Sequence, residues 1–248
     1  MSSSPSVRNR LTRDLILLVL LLISIFLGFS FFYAKQIQDD ITQAIILAAK
    51  NTVITENHRL FDPINNNLIL SRKWAELEAL TPDKQNTFNK RFIPILETLP
   101  QISSVILANS EGDEYFFSRD GNNWISRHIS SAQYGENQAL WQQWNGNNKS
   151  LKKWQKATDY KPKNRPWYQL ALTTSKETPI KWTTPYTFHT QKTPGVTGVT
   201  RWKNTEGVQF VLAFDITLSD VAKSLSAIKV SKNDIIYLMG ANGKVILP

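Results

Sequence analysis

Six residues in the second half of the chain have side chains that together could hold a small zwitterion. They are Tyr160, Arg165, Trp167, Tyr168, Tyr186 and Asp215. The planar guanidinium of Arg165 suits a carboxylate, and the Trp167 indole and the Tyr160 hydroxyl add further donors. Asp215 offers a counter-charge for an ammonium group, helped by the hydroxyls of Tyr168 and Tyr186. These residue types therefore describe two opposite poles in an aromatic pocket.

The same residues allow a second interpretation in which no ligand binds. Arg165 and Asp215 could form an ion pair with each other. Clusters of Trp and Tyr more often pack in a core than line a binding site. Residue types alone do not separate the two interpretations, because both depend on the elements that position these side chains.

A long apolar segment lies near the N-terminus. Residues 15–34 carry no charge, and fifteen of these twenty are Leu, Ile, Val or Phe. As a helix they would span about 30 Å, the thickness of the hydrocarbon core of a bilayer. Arg8, Arg10 and Arg13 precede the segment, which predicts a cytoplasmic N-terminus and a domain outside. The alternative is a cleaved signal peptide, but the segment is too long and lacks a small-residue cleavage site, so we expect a retained single-pass anchor.

A helical pattern continues beyond the apolar segment. Ile37, Ile41, Ile45 and Ala48 recur at helical spacing and form one apolar stripe. The stripe could pack on its own domain or on a second copy of the chain, and the sequence does not separate these outcomes. A homodimer through this helix is the working expectation.

Further elements are predicted along the rest of the chain. The Asp62-Pro63 step is expected to break or bend the helix ahead of a second helix at 68–80, and Thr81-Pro82 indicates a third helix start. Strands are predicted at residues 102–107, 115–118, 124–129, 182–188, 197–202 and 208–216. A helix at 219–228 and a hairpin within 235–247 follow. This order predicts an α+β fold, with one antiparallel sheet flanked by helices.

Composition argues against several classes of function. The chain has no Cys, so it can form neither disulfides nor thiolate metal sites, and it has no thiol nucleophile. The net charge of +9 is scattered, which disfavours nucleic acid as a partner and leaves anionic lipid or polysaccharide open. The nearest approach to a basic run, residues 149–163, is also rich in aromatic residues.

No set of residues with catalytic or metal-binding spacing is found. His58, His128 and His189 are widely separated and are expected to be surface or hydrogen-bonded residues. Asp113-Glu114 and Asp159 have the composition of turns rather than of a catalytic carboxylate pair. We therefore expect no enzyme activity, no metal and no cofactor.

Three segments in a fixed order resemble one known family. They are Arg-Pro-Trp-Tyr at 165–168, Trp-Thr-Thr-Pro-Tyr at 182–186, and the segment from Gly207 to Asp-Ile-Thr-Leu at 215–218. In this order the sequence resembles the double Cache family of extracytoplasmic sensors, from the anchor to the C-terminus. The resemblance implies a long N-terminal helix and two stacked PAS-like modules, with ligand bound in the membrane-distal one.

A subset of that family recognises amino acids, and its motif matches the six residues named first. The motif has a tyrosine five residues before the arginine, the Arg-x-Trp-Tyr string, the later Pro-Tyr tyrosine and a strand-end aspartate. Some relatives place a further carboxylate two residues after that tyrosine, where this chain has Phe188. The departure argues against amines that lack a carboxylate, and it leaves Asp215 as the main anionic partner.

The resemblance implies the sensor domain of a membrane receptor that binds a small amino acid, without nucleic acid as a partner. The expected divisions are a cytoplasmic N-terminus at 1–14, a transmembrane helix at 15–34, a membrane-distal module at 35–228 and an incomplete second module at 229–248. A chemotaxis, kinase or cyclic-dinucleotide output domain is not expected within this chain. The alternative is a membrane-anchored structural or polysaccharide-binding protein with no small ligand.

Overall fold

The computed structural model describes residues 7–78, 80–226, 238–239 and 245–247. Five α-helices and eleven β-strands lie within these residues. The chain divides into two units, residues 1–54 and residues 55–248, and each is described by itself.

The first unit consists of the N-terminal part of helix α1 (Val7–Glu78). Residues 15–34 are exposed along their whole length, and the most apolar window of the helix has a mean hydropathy of 3.0. Among the described residues, α1 is the one helix long and apolar enough to cross a membrane, and it fits a transmembrane anchor. Ile37, Ile41 and Ile45 are exposed, as is Ala48.

Helix α1 continues through Pro63, so the predicted break is not found. Proline removes one helical hydrogen bond and usually destabilises a helix interior by about 3 kcal/mol. Leu60, Ile64 and Leu68 surround it on one face and are buried in the core. Burial of such side chains contributes about 1.5–3 kcal/mol each, enough to keep this segment helical.

The main element of the second unit is a nine-stranded antiparallel sheet. Its strands are β1 (Ile102–Asn109), β2 (Glu114–Asp120), β3 (Asn123–Ile129), β4 (Gln138–Trp144), β5 (Ser150–Ala157), β6 (Lys181–Trp182), β7 (Tyr186–Thr187), β8 (Pro194–Lys203) and β9 (Gln209–Thr217). Their order is β5-β4-β3-β2-β1-β9-β8-β6, with β7 also beside β8. With its flanking helices, the sheet confirms the predicted α+β class.

Five of the six predicted strands are present, four of them longer than predicted and β9 shifted by one residue. The strand predicted at 182–188 is instead two short strands, β6 and β7. Strands β4 and β5 were not predicted. Seven of the eight positions of β5 are exposed and the other is only partly buried, so its sequence has no alternation between an apolar and a polar face.

The remaining helices are α2 (Gln85–Thr98), α3 (Ser131–Tyr134), α4 (Pro166–Ala171) and α5 (Leu218–Ser226). The helix predicted at 68–80 is the end of α1. Helix α2 starts later than predicted, because Thr81 begins a turn in which the Lys84 amide donates to its carbonyl. The short strands β10 (Leu238–Met239) and β11 (Val245–Leu247) pair within the predicted last hairpin, and the rest of that hairpin lies outside the described residues. The expected domain divisions stay predictions.

The sheet separates two apolar clusters. Helices α1 and α2 cover one face, and α4 covers part of the other. Strand β9 shows the alternation: Leu212 and Phe214 face the first cluster, whereas Val211 and Ala213 face the second. Asp215 continues the second set, because side chains two residues apart lie on the same face of a strand. The α4 face therefore carries the candidate site.

Candidate functional site

Asp215 lies on the α4 face of the sheet, between two strands that each supply a hydroxyl. Ser104 on β1 and Thr197 on β8 are its partners in register, and both hydroxyls donate to its carboxylate at 2.6 Å. The Tyr186 hydroxyl lies 2.7 Å from that of Thr197 and donates to it, since the Thr197 proton is directed at Asp215. Only 2% of Asp215 is exposed. Burial raises its pKa to about 6, although the two hydroxyl donors oppose the shift.

The predicted carboxylate pole is built around the start of α4. A 3-10 turn (Pro162–Asn164) leads into the helix, and a proline occupies its first position, where no backbone donor is needed. Trp167 is fully buried, and its indole nitrogen donates to the Tyr160 hydroxyl at 3.3 Å. The Arg165 guanidinium is partly exposed and lies 5.6 Å from the Tyr160 ring centroid. It also donates to the carbonyl of Thr187 at 3.3 Å.

A small cavity of about 10 Å³ lies between these two poles. This is room for roughly one water molecule. Its lining includes five of the six predicted residues: Tyr160, Arg165, Trp167, Tyr186 and Asp215. The sixth, Tyr168, is not among the lining residues and packs in the apolar cluster beneath α4, with its ring 5.6 Å from that of Trp167.

Arg165 and Asp215 do not pair with each other. Within the described residues, Asp215 forms no ion pair with Lys or Arg, and its hydrogen-bond partners are hydroxyls and backbone. The guanidinium of Arg165 contacts a carbonyl and two aromatic rings instead. The interpretation that explained both residues as one structural ion pair is therefore wrong for this structure.

A different buried ion pair adjoins the cavity. Glu114 was expected to be a turn residue, but it is the first residue of β2 and is fully buried. Its carboxylate accepts two hydrogen bonds from Arg127, at 2.7 and 3.0 Å. The third guanidinium nitrogen donates to the Thr190 hydroxyl at 2.7 Å, and the guanidinium lies 4.0 Å from the Tyr160 ring centroid.

Each residue of this pair stabilises the charged form of the other. Burial raises the pKa of Glu114, and the charge and hydrogen bonds of Arg127 oppose that shift. Burial, the largest single cause, lowers the pKa of Arg127, but the charge and hydrogen bonds of Glu114 together with Tyr160 outweigh it, so the net shift is upward. The sequence held a signal for this pair: the two-residue turn between β2 and β3 fixes a register in which Arg127 lies opposite Phe116, two residues from Glu114 on the same face.

One histidine lies beside the site. His189 lines the cavity with its ring 4.8 Å from that of Tyr160, and its pKa is lowered by burial and by the charges of Arg127, Lys192 and Arg165. His58 is exposed, 3.0 Å from Asp62, as expected of a surface residue. His128 is buried and hydrogen-bonded through Nδ1, while its Nε2 lacks a partner. No group of three or more His, Cys, Asp or Glu that could hold a metal occurs among the described residues.

Comparison with known proteins supports the fold. No protein-family model matches the sequence, and no curated protein matches it. Solved structures do match. They include the ligand-binding domain of the amino acid chemoreceptor PctB of Pseudomonas aeruginosa PAO1 in complex with L-Gln, with a TM-score of 0.52 at 14% identity over 80% of this chain and 66% of that chain. Another, described as methyl-accepting chemotaxis protein X, has a TM-score of 0.50 at 14% identity over 76% of this chain and 68% of that chain.

A third match is the ligand-binding domain of Mlp24 with asparagine, with a TM-score of 0.45 at 15% identity, covering 77% of this chain and 65% of that chain. This chain thus spans about two thirds of the length of such domains. At these identities the likeness concerns the fold. The chain has the Cache-like α+β fold of chemoreceptor ligand-binding domains, which is the fold that the sequence resemblance implied.

Proposed function

We propose that this chain is the extracytoplasmic sensor domain of a membrane-anchored signalling receptor and that its cavity binds a small amino acid. The observation that carries the proposal is Asp215, a buried carboxylate whose side chain, within the part of the chain that the structure describes, is held by hydroxyls and not by an ion pair. A buried carboxylate with a raised pKa, facing a cavity, is typical of a functional site rather than of packing. An arginine lines the same cavity and supplies the opposite charge.

The two poles suit the two ends of an amino acid. Each carboxylate oxygen of Asp215 accepts one hydroxyl proton, and an ionised carboxylate has about four acceptor positions, so capacity remains for an ammonium group. Because its pKa is about 6, Asp215 is mostly ionised at neutral pH. Arg165 presents the guanidinium donors that its one bond to the Thr187 carbonyl does not use, and Tyr160 and Trp167 lie beside it.

Both ends of the ligand must be satisfied. Alanine has six non-hydrogen atoms, and the best tiny ligands gain at most about 1.5 kcal/mol per atom, so about 9 kcal/mol is the upper limit. Micromolar binding requires about 8 kcal/mol. Leaving either charged end unpaired in a buried site would remove more than this small margin.

Ligand entry requires the site to open, because the cavity holds only about 10 Å³. We expect the movement in the turn that runs from Phe188 to Thr193, which is closed by hydrogen bonds between the backbones of its ends. The Phe188 ring is buried against Tyr186 and Gly195, where any larger residue would collide with it. Thr190 fastens the same turn to Arg127.

Calorimetry of the full chain in nanodiscs against a panel of amino acids tests the proposal. Arg165→Ala removes the hydrogen-bond donor to the carboxylate of the ligand, and Asp215→Asn removes the counter-charge for its ammonium group. Each should weaken binding by about 100-fold or more, since a charged hydrogen bond contributes about 1.5–3 kcal/mol and the stranded partner adds to the loss. Arg59→Ala and Asp83→Asn are matched controls at exposed positions outside the cavity lining and should bind like the wild type. Failure of every amino acid to bind, or wild-type affinity in both site variants, would show that the proposed site is wrong.

The orientation of the anchor is part of the proposal. The basic residues ahead of residues 15–34 support an N-terminus inside and a sensor domain outside. Alkaline phosphatase fused after Gly207 should therefore be active, since this enzyme needs the oxidising outer compartment. If only a cytoplasmic reporter is active at the same position, the orientation is the opposite of the one proposed.

We also propose that two copies pair along α1. The exposed apolar residues Ile37, Ile41, Ile45 and Ala48 form a stripe that a second helix could cover. Single cysteines placed through residues 36–49 should crosslink with a period of three to four residues in membranes. A flat crosslinking profile would argue against a paired stalk.

A further inference from the structure

We propose that a second, larger cleft on the α4 face binds an anionic saccharide, in which a pyranose ring carries carboxylate, sulfate or phosphate groups. The cleft has a volume of about 900 Å³ and lies between the end of β5 and the turn after β7. It adjoins the small cavity, with which it shares Arg127, His189 and Thr190. Its size fits one or two sugar rings, whereas an amino acid would leave most of it empty.

The lining of the cleft carries excess positive charge. Lys156, Lys161 and Lys192 line it, and Asp159 is the one carboxylate among its lining residues. Arg127 also contributes, but Glu114 balances its charge. The positive charges around the neighbouring His189 lower the pKa of that imidazole in addition to its burial, which is consistent with a positive potential at this end of the cleft. Such a cleft concentrates anions.

One indole ring lines the cleft, and a second lies beside it toward the edge of the sheet. Trp141 on β4 lines the cleft, and Trp154 on β5 is its cross-strand partner. The rings lie 6.4 Å apart with only 10° between their planes, and both residues are partly exposed. The negative face of an indole attracts the positively polarised C–H groups of a sugar ring, so two parallel indoles make a platform for saccharide units.

Trp141 and Trp154 differ in their other contacts with the protein. Trp141 lies against the guanidinium of Arg127 at 5.7 Å and so has a second, structural role. Trp154 lies on an exposed edge strand and contacts Trp141 and the ammonium of Lys152, 5.4 Å from its ring centroid. A tryptophan on so exposed a strand contributes little to a core, so Trp154 is the residue that separates a binding platform from a packing role.

The basic edge also disfavours the addition of a partner strand. Strand β5 presents Lys152, Lys153 and Lys156 within eight residues, and lysines on an edge oppose strand-to-strand pairing. A simple anion site would require the lysines but not the parallel indoles. The combination therefore favours a ligand that has both a flat C–H face and negative charge.

The test uses the full chain in nanodiscs of zwitterionic lipid and three probes. Tetragalacturonate supplies pyranose rings with carboxylates, maltotetraose supplies neutral rings, and tetraglutamate supplies carboxylates without rings. Calorimetry should show that tetragalacturonate binds at least about tenfold more tightly than either comparison. Raising the salt from about 0.05 M to about 0.5 M should weaken its binding several-fold, because exposed charges are screened.

Three sets of variants locate the site. Trp154→Ala should weaken tetragalacturonate binding about three- to tenfold, and Trp154→Phe should weaken it less, because a smaller ring remains. Lys156→Gln combined with Lys192→Gln should weaken it about tenfold. Lys90→Gln, an exposed control on α2, should have no effect. Asp215→Asn should also leave tetragalacturonate binding unchanged. The saccharide site and the amino-acid site are therefore tested independently, and failure of one proposal does not imply failure of the other.

Three results would overturn the proposal. They are the absence of tetragalacturonate binding, equal binding of tetraglutamate, which would indicate a general anion site, and unchanged affinity in Trp154→Ala. Thermal unfolding of each variant, followed by tryptophan fluorescence, separates lost binding from lost folding.

Discussion

Two acidic residues on the same face of the sheet are both buried, yet they are held in opposite ways. Glu114 accepts two hydrogen bonds from Arg127, and the third nitrogen of that guanidinium bonds Thr190. Asp215 faces a cavity, and its carboxylate is held by the hydroxyls of Ser104 and Thr197. Among the described residues, the first carboxylate forms an ion pair, whereas the second has hydrogen bonds but no ion pair.

This difference separates a structural group from a binding group. A buried ion pair adds little net stability, but removing one partner is costly because the other charge is left uncompensated. Burial raises the pKa of both carboxylates. Of the two, Asp215 is the one without an ion-pair partner among the described residues, so burying its charge is a cost in the empty protein. A positively charged ligand would offset that cost. Substitution of Glu114 should therefore mainly lower the free energy of unfolding, and substitution of Asp215 should mainly lower ligand affinity.

The largest effect is expected at the ion pair. Glu114→Gln leaves the charge of Arg127 buried without its partner and should destabilise the domain by about 3–5 kcal/mol. Urea unfolding of the full chain in detergent micelles, followed by tryptophan fluorescence, measures the loss. The double variant Glu114→Leu with Arg127→Met should recover much of it, because no charge then remains buried. A double variant as unstable as Glu114→Gln would show that the pair contributes more than charge balance.

The opposite sign is expected at Asp215. Its pKa is raised from 3.8 to about 6 in the folded chain, so between these values the folded state holds a proton that the unfolded state has lost. Stability therefore falls as the pH rises through this window, by up to about 3 kcal/mol. Asp215→Asn removes this cost and should stabilise the empty domain by about 1–3 kcal/mol at pH 7. Below about pH 4 the variant and the wild type should unfold alike.

Unfolding curves at several pH values measure this effect, with Asp83→Asn as the exposed control. If Asp215→Asn is destabilised at pH 7, the carboxylate is part of the structural framework, and the contrast with Glu114 fails.

One strand of the site was predictable from the sequence, but the helix beside it was not. The apolar run at 208–216 predicted a strand that ends near Asp215, whereas no helix was predicted at Arg165 and Trp167, where α4 begins. Tyr168 was assigned to the ammonium pole beside Asp215 but does not line the cavity. Neighbouring positions on a helix point about 100° apart, so adjacent Trp and Tyr residues seldom face one ligand.

The parts that were missed depend on tertiary contacts. Glu114 was taken for a turn residue because only the register of β2 with β3 shows that it shares a face with Arg127. Strand β5 was missed because exposure on both faces removes the alternation that identifies a strand. Strand β4 was missed because the polar Gln142 occupies one of its buried positions, so its sequence shows no regular apolar face. Pro63 was expected to break or bend the helix, but α1 does not break there because burial of the adjoining residues outweighs the lost hydrogen bond.

The smallest effect is expected at Thr190, the residue that connects the two regions. Its hydroxyl accepts the third guanidinium bond of Arg127, while its turn closes the cavity that Asp215 faces. Thr190→Val keeps the shape of the side chain and removes only this hydrogen bond. Because Thr190 is partly exposed, water can replace the hydroxyl, and the loss of stability should be only about 1 kcal/mol.

A looser turn should open more readily, so the ligand found by calorimetry should associate a few-fold faster in stopped-flow fluorescence, with the Glu114–Arg127 pair intact. Thr193→Val, at an exposed position of the same turn, is the matched control and should leave the association rate unchanged. An unchanged rate in Thr190→Val would mean that this hydrogen bond does not hold the cavity closed, and a loss of stability as large as that of Glu114→Gln would mean that the ion pair and the turn form one structural unit.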